Sequence, residues 1–115
     1  MVEYKELNLI FQSLADPTRR DILKRVAKKP LSIQEIANAY QKYMSLAAVS
    51  KHVQVLDRAK LVNKKRDGKQ YFVEASPPRL GHALDYLQQY EKIWELRLDR
   101  LEKHLESKPR KFNSK

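Results

Sequence analysis

Ser45, Ala47, Ser50, Lys51, His52 and Gln54 sit within one short stretch of the chain, and each is a side chain suited to a nucleic-acid groove. Ala47 and Ser50 are small enough to let a helix backbone come close to another surface. Ala47 can meet a thymine methyl, Lys51 the acceptors of guanine or a phosphate, and Gln54 the N6/N7 edge of adenine. Ser50 can donate or accept at either base or phosphate. Ser45, at the start of the stretch, can join free helix amides around a backbone phosphate. His52 has two open readings: a phosphate contact, or a partly buried ring hydrogen-bonded within the fold. About ten residues further on, Lys64, Lys65, Arg66 and Lys69 surround an Asp67-Gly68 turn signal. Cations at such a tip suit phosphates or a minor groove, although edge-strand lysines also discourage aggregation.

Presenting these side chains requires a helix with one buried stripe and a hairpin beside it. Val49, Val53 and Leu56 follow i, i+4, i+7, so the helix capped by Ser45 turns Ala47, Ser50, Lys51 and Gln54 away from the core. Leu61–Arg66 and Gln70–Ala75 read as two strands joined at Asp67-Gly68. Upstream, Leu7, Ile10, Phe11 and Leu14 mark a first helix over Tyr4–Ala15. Asp16 followed by Pro17 starts a second helix that runs to about Lys28. Ser32 with Glu35 forms a capping-box signature for a third helix. The fold class is therefore mainly α with a small β-hairpin (α+β), the arrangement of a winged helix-turn-helix.

The charge is placed unevenly. The 115 residues carry a formal +10. Residues 45–70 hold seven cations against two anions, whereas 71–107 are slightly acidic. That split favours a localised polyanion-binding surface over a uniform basic coat. With no cysteine there is no disulfide, thiolate metal site or thiol switch. His82 and His104 are isolated in sequence, so no metal or other cofactor is expected. Neither a nucleophile-base pattern nor a phosphate loop suggests an enzyme. The apolar runs are too short for a membrane span, and the start does not resemble a signal peptide, which points to the cytoplasm.

Ser76-Pro77-Pro78 opens a last helix that nothing interrupts before about Ser107. At a rise of 1.5 Å per residue, thirty or so residues extend about 45 Å. Leu84, Leu87, Glu91, Trp94, Leu98, Leu101 and Leu105 alternate at three and four along it, a seam that wants a partner helix. Tyr86, Tyr90 and Trp94 occupy neighbouring turns, as packing residues or as the wall of a ligand cavity. A single domain over 1–107 is expected, followed by a disordered basic tail over 108–115.

The motifs together resemble the ArsR-type (arsenical-repressor-like) bacterial transcription regulators. Phe11-Gln12-Ser13-Leu14-Ala15-Asp16-Pro17-Thr18-Arg19-Arg20 matches the family's opening. Leu31–Ala37, Val49–Val53, Ala59–Val62 and Asp67-Gly68-Lys69 continue the match in order, over roughly residues 7–75. The resemblance implies a homodimeric winged-helix repressor acting at imperfect inverted repeats of double-stranded DNA. It also implies an interface built by the first and last helices: Leu7 and Phe11 with Leu84, Leu87, Tyr90, Trp94, Leu98 and Leu101. Two departures stand out. Ser32 and Gln34 occupy the positions where many relatives carry a metal-binding Cys-x-Cys, and the last helix lacks the alternative Asp/His/Glu set. The link between the third and fourth helices is also about two residues longer than usual and lacks a glycine, so the third helix is expected to extend towards Lys42.

A sequence-specific DNA-binding dimer that represses by occluding a promoter is the expectation. A small-molecule effector is a further candidate partner. The competing readings are a winged-helix adaptor that docks an acidic protein and a sequence-neutral architectural DNA binder.

Overall fold

The computed structural model describes residues 4–106, so the expected tail over 108–115 lies outside the described residues. The helices are α1 (Tyr4–Leu14), α2 (Pro17–Lys28), α3 (Ile33–Ala39), α4 (Leu46–Arg58) and α5 (Pro77–Glu106). The strands are β1 (Leu31–Ser32), β2 (Val62–Asp67) and β3 (Gln70–Ala75), in the antiparallel sheet order β1-β3-β2. The chain divides into two compact units, one ending at Ala83 and the other beginning at Leu84. No helix among the described residues is long and apolar enough to cross a membrane.

Local chemistry sets the helix starts in the first unit. Asp16 accepts from the amides of Thr18 (2.7 Å) and Arg19 (3.3 Å), and Pro17 occupies a position that needs no donor. Burial works against the Asp16 charge, but the two amides together with nearby His52 and Arg19 outweigh it, so its pKa is lowered. At α3 the capping box is complete. Glu35 N donates to Ser32 Oγ, and Ser32 N to Glu35 Oε1, both at 3.0 Å.

The core gathers Ile10, Ile22, Ile36, Val49, Val53 and Leu56, all at 0% exposure, with Leu61, Val62 and Val73 closing it from the sheet side. Removing each such side chain from water contributes roughly 1.5–3 kcal/mol. A short β1, not foreseen from sequence because two residues show no periodicity, adds to β3 through Leu31↔Val73 and Ser32↔Phe72.

The third helix stops at Ala39 and does not reach Lys42. Tyr40 causes this. Its side chain is buried, its hydroxyl donates to Asp21 of α2, and the Arg25 guanidinium lies 5.4 Å from its ring centre. Its carbonyl meanwhile accepts from Tyr43 N (2.8 Å) and Met44 N (3.0 Å), which turns the chain towards α4.

Two anchored atoms also shift the hairpin by one residue. Leu61 belongs to the end of α4: Leu61 N donates to Leu56 O and Lys60 N to Asp57 O, both at 3.0 Å, with Lys60 left-handed at φ 61°. This is the Schellman pattern, sealed by the buried Leu56 and Leu61. At the other end Asp67 pairs with Gln70, which leaves Gly68-Lys69 as the loop. Gly68 alone takes a positive φ, 65°, as a type II′ turn requires.

Hydrogen bonds from Tyr40 and from Arg25 hold the Asp21 carboxyl below its ordinary value of 3.8. That stabilisation is present above the unfolded pKa and disappears as pH falls through the folded one. Tyr40→Phe should therefore cost about 1 kcal/mol at pH 7, discounted because Asp21 is partly exposed, and less near pH 2. Urea melts at both pH values check this; equal losses would show that the Asp21 charge is irrelevant.

Candidate nucleic-acid interface

The fourth helix is held from several sides, packing on α1, α2, α3 and β2. Ser45 starts it by accepting from Ala48 N at 3.2 Å, which leaves its hydroxyl hydrogen for an outside acceptor. With Val49, Val53 and Leu56 fully buried, the opposite side presents Ala47, Lys51 and Gln54 as exposed residues and Ser50 as half-buried. The structure thus brings Ser45, Ala47, Ser50, Lys51 and Gln54 to one surface. Arg58, one turn beyond Gln54 and also exposed, shares that side and was missed from the sequence. The i+4 step from Gln54 was the available signal.

His52 stands apart from this group. It is half-buried, and its Nδ1 lies 3.3 Å from Arg19 Nη1. Arg19 closes the end of α1 as well, donating to Ser13 O (2.7 Å) and Gln12 O (3.0 Å). One guanidinium therefore ties the α1–α2 joint to α4.

The wing separates its cations by strand alternation. Lys64 and Arg66 lie on the β2 face that carries the buried Val62, and Arg66 pairs across the ladder with Tyr71. Lys64 Nζ and Arg66 Cζ sit 5.6 and 5.8 Å from the Tyr71 ring centre, and Arg66 Nε donates to Gly68 O at 3.0 Å. Lys65, on the other face, is paired with Glu74 at 2.8 Å. Among the described residues, Lys51, Lys64 and Lys69 have no carboxylate partner. Tyr71 was not singled out from sequence, because the predicted turn was one residue out of place and the cross-strand pairing with Arg66 followed from the turn.

His82, isolated in sequence, meets a carboxylate in the fold. Its Nδ1 is 3.3 Å from Glu6 Oε2, and Arg79 pairs with the other oxygen of Glu6. Among the described residues no cluster of three or more His, Asp or Glu could hold a metal ion. In the second unit, Tyr86 and Tyr90 meet edge to face at 5.3 Å with their hydroxyls 2.8 Å apart. Leu84 (55%), Leu87 (50%), Tyr90 (47%), Trp94 (59%), Leu98 (59%) and Leu101 (52%) keep about half their surface exposed in a single chain. Leu7, expected beside them at an interface, is only 5% exposed. It packs inside the protomer and offers little surface to a partner, whereas Phe11 is half-buried.

Known proteins share this arrangement. A helix-turn-helix domain family model matches residues 14–65. The HTH-type transcriptional regulator Rv2034 of Mycobacterium tuberculosis is 36% identical over 81 residues, 70% of this chain and 74% of that protein. The crystal structure of an ArsR family transcriptional regulator superposes with a TM-score of 0.74 at 29% identity, covering 83% of this chain and 97% of that one. An ArsR-like transcriptional regulator from Rhodococcus sp. RHA1 follows at 0.71 and 26%, covering 87% and 92%. The homodimeric winged helix-turn-helix DNA-binding domain of Mb0332 from Mycobacterium bovis shares the fold at a TM-score of 0.61 and 22% identity, covering 76% and 80%. A capped helix with one buried and one polar side, a cationic wing and these relatives agree: the chain belongs to the ArsR-type winged helix-turn-helix transcriptional regulators.

Proposed function

We propose that this regulator is a homodimeric repressor that occludes a promoter by binding an imperfect inverted repeat in duplex DNA. The observation that carries the reading is the two-sidedness of α4. Its apolar stripe is wholly buried, and its outer side offers small, polar and basic groups without an acidic residue among Ala47, Ser50, Lys51 and Gln54. In the major groove, Ser50, Gln54 and Lys51 would read base edges, with Ala47 against a methyl group. Lys64, Arg66 and Lys69 would supply phosphate or minor-groove contacts, which add affinity but little sequence information. His52, engaged by Arg19, would set the pose of α4 and touch phosphate only at its margin.

Dimerisation is supported by the exposed row Leu84, Leu87, Tyr90, Trp94, Leu98 and Leu101. So long an apolar seam on a single helix is matched by a second copy of itself. Mb0332, of the same fold, is homodimeric. Two reading helices related by a two-fold axis would meet half-sites roughly one helical turn, about 34 Å, apart.

If a dimer neutralises about 6–10 phosphates, affinity should fall about 10³–10⁵-fold between 50 and 200 mM salt. A gel-shift series without that slope, or without preference over random duplex, would sink the reading. Ser50→Glu should weaken specific binding by about tenfold to a hundredfold, in line with 1–3 kcal/mol per base contact, and leave the melting temperature in place. Unchanged binding would mean that α4 does not read DNA. Trp94→Asp should do the reverse, giving monomers by light scattering at micromolar protein; a persistent dimer would move the interface off α5.

A further inference from the structure

Between the first turns of α4 and the wing runs a groove of about 370 Å³. Gln34 of α3, Leu46 and Ser50 of α4, and Lys69 and Tyr71 of the wing line it. Two of its walls are the elements that face DNA in the reading above, and the start of α3 forms the third. A helix in a major groove and a wing at the adjacent minor groove must straddle the one sugar–phosphate strand that separates those grooves.

The lining suits such a strand. Leu46 and Tyr71 keep 50% and 46% of their surface exposed, apolar area of the kind a deoxyribose edge can cover. Gln34 uses one amide hydrogen on Asn38 Oδ1 at 3.1 Å, and its amide carries a second for a phosphate oxygen. Lys69 brings a cation with no carboxylate partner among the described residues. The Tyr71 ring has Lys64 and Arg66 seated at 5.6 and 5.8 Å, and the Gly68 carbonyl accepts a hydrogen bond from the same guanidinium. Ring-held cations keep a preferred direction instead of sweeping the solvent.

We propose that this groove seats one sugar–phosphate strand of duplex DNA. Gln34 and Lys69 hold its phosphate oxygens, Leu46 packs on a sugar, and Tyr71 is a positioning residue that aims Lys64 and Arg66 at flanking phosphates. The assignment rests on the chain being a duplex binder, and it places Gln34, Leu46 and Tyr71 in the interface beside the residues of α4 and the wing tip.

The test measures binding of the full chain to a mixed-sequence duplex of about 30 base pairs across 50–200 mM salt. Gln34→Glu should bind at least about tenfold more weakly than Gln89→Glu, a charge-matched change on α5; an added anion at the start of α3 does not harm that helix. Tyr71→Leu should lower the log–log salt slope by about one to two, from two misdirected cations at about 0.9 each, while Tyr71→Phe keeps the wild-type slope. A circular-dichroism melt confirms that each variant is folded. Should Gln34→Glu match Gln89→Glu, or folded Tyr71→Leu keep the wild-type slope, the seat is wrong. If Ser50→Glu still weakens binding in that case, the DNA reading stands without it. Failure of the wild-type chain to bind any duplex would overturn both.

Discussion

Val49, Val53 and Leu56 are completely removed from water, and the other elements of the first unit are arranged so that they can be. α1, α2, α3 and β2 all pack on α4 because its stripe is the one surface they share. Burying that stripe leaves the outer residues no freedom of rotation about the helix axis. Rotating α4 by one residue, about 100°, would expose a valine and drive Ser50 and Gln54 towards the core. The outward face is thus specified by the inward one, and its polar side chains need no contact with each other to be held in register.

The ends of α4 carry the same constraint to its neighbours. Ser45 defines where the helix begins, and the paired bonds from Lys60 and Leu61 define where it ends. The chain then enters β2 with no intervening loop, because Leu61 belongs to the cap and Val62 to the strand. Ser76 N also donates to Leu61 O at 2.9 Å, fastening the far end of β3 to this corner. Helix and wing are joined through a rigid corner, so their spacing is a property of backbone hydrogen bonds more than of side-chain packing.

Much of this was legible in the sequence, where the signal is local. Asp16-Pro17, Ser32 with Glu35, and Ser45 each announce a helix through a side chain acting within three residues. The stripes of α1 and α4 follow from spacing alone. What escaped depends on partners distant along the chain. Tyr40 ends α3 because Asp21 and Arg25 lie beside it, Arg19 reaches His52 across the fold, and His82 finds Glu6. The one-residue shift of the hairpin came from a competition invisible to strand propensity, since Leu61 is an apolar residue that extends the strand pattern but is claimed by the helix cap. Tyr71 was hidden by the same shift.

The pairing of Lys65 with Glu74 gives the hairpin an electrical handedness. One face carries cations beside an aromatic ring, and on the other Lys65 is paired with Glu74. For the duplex binding proposed above, a polyanion would meet an uneven field at the wing, drawn to the face that bears Tyr71 more than to its back. The small ion pair on the back of the wing thus removes one free cation there and leaves Lys64 and Arg66, on the Tyr71 face, without a carboxylate partner among the described residues.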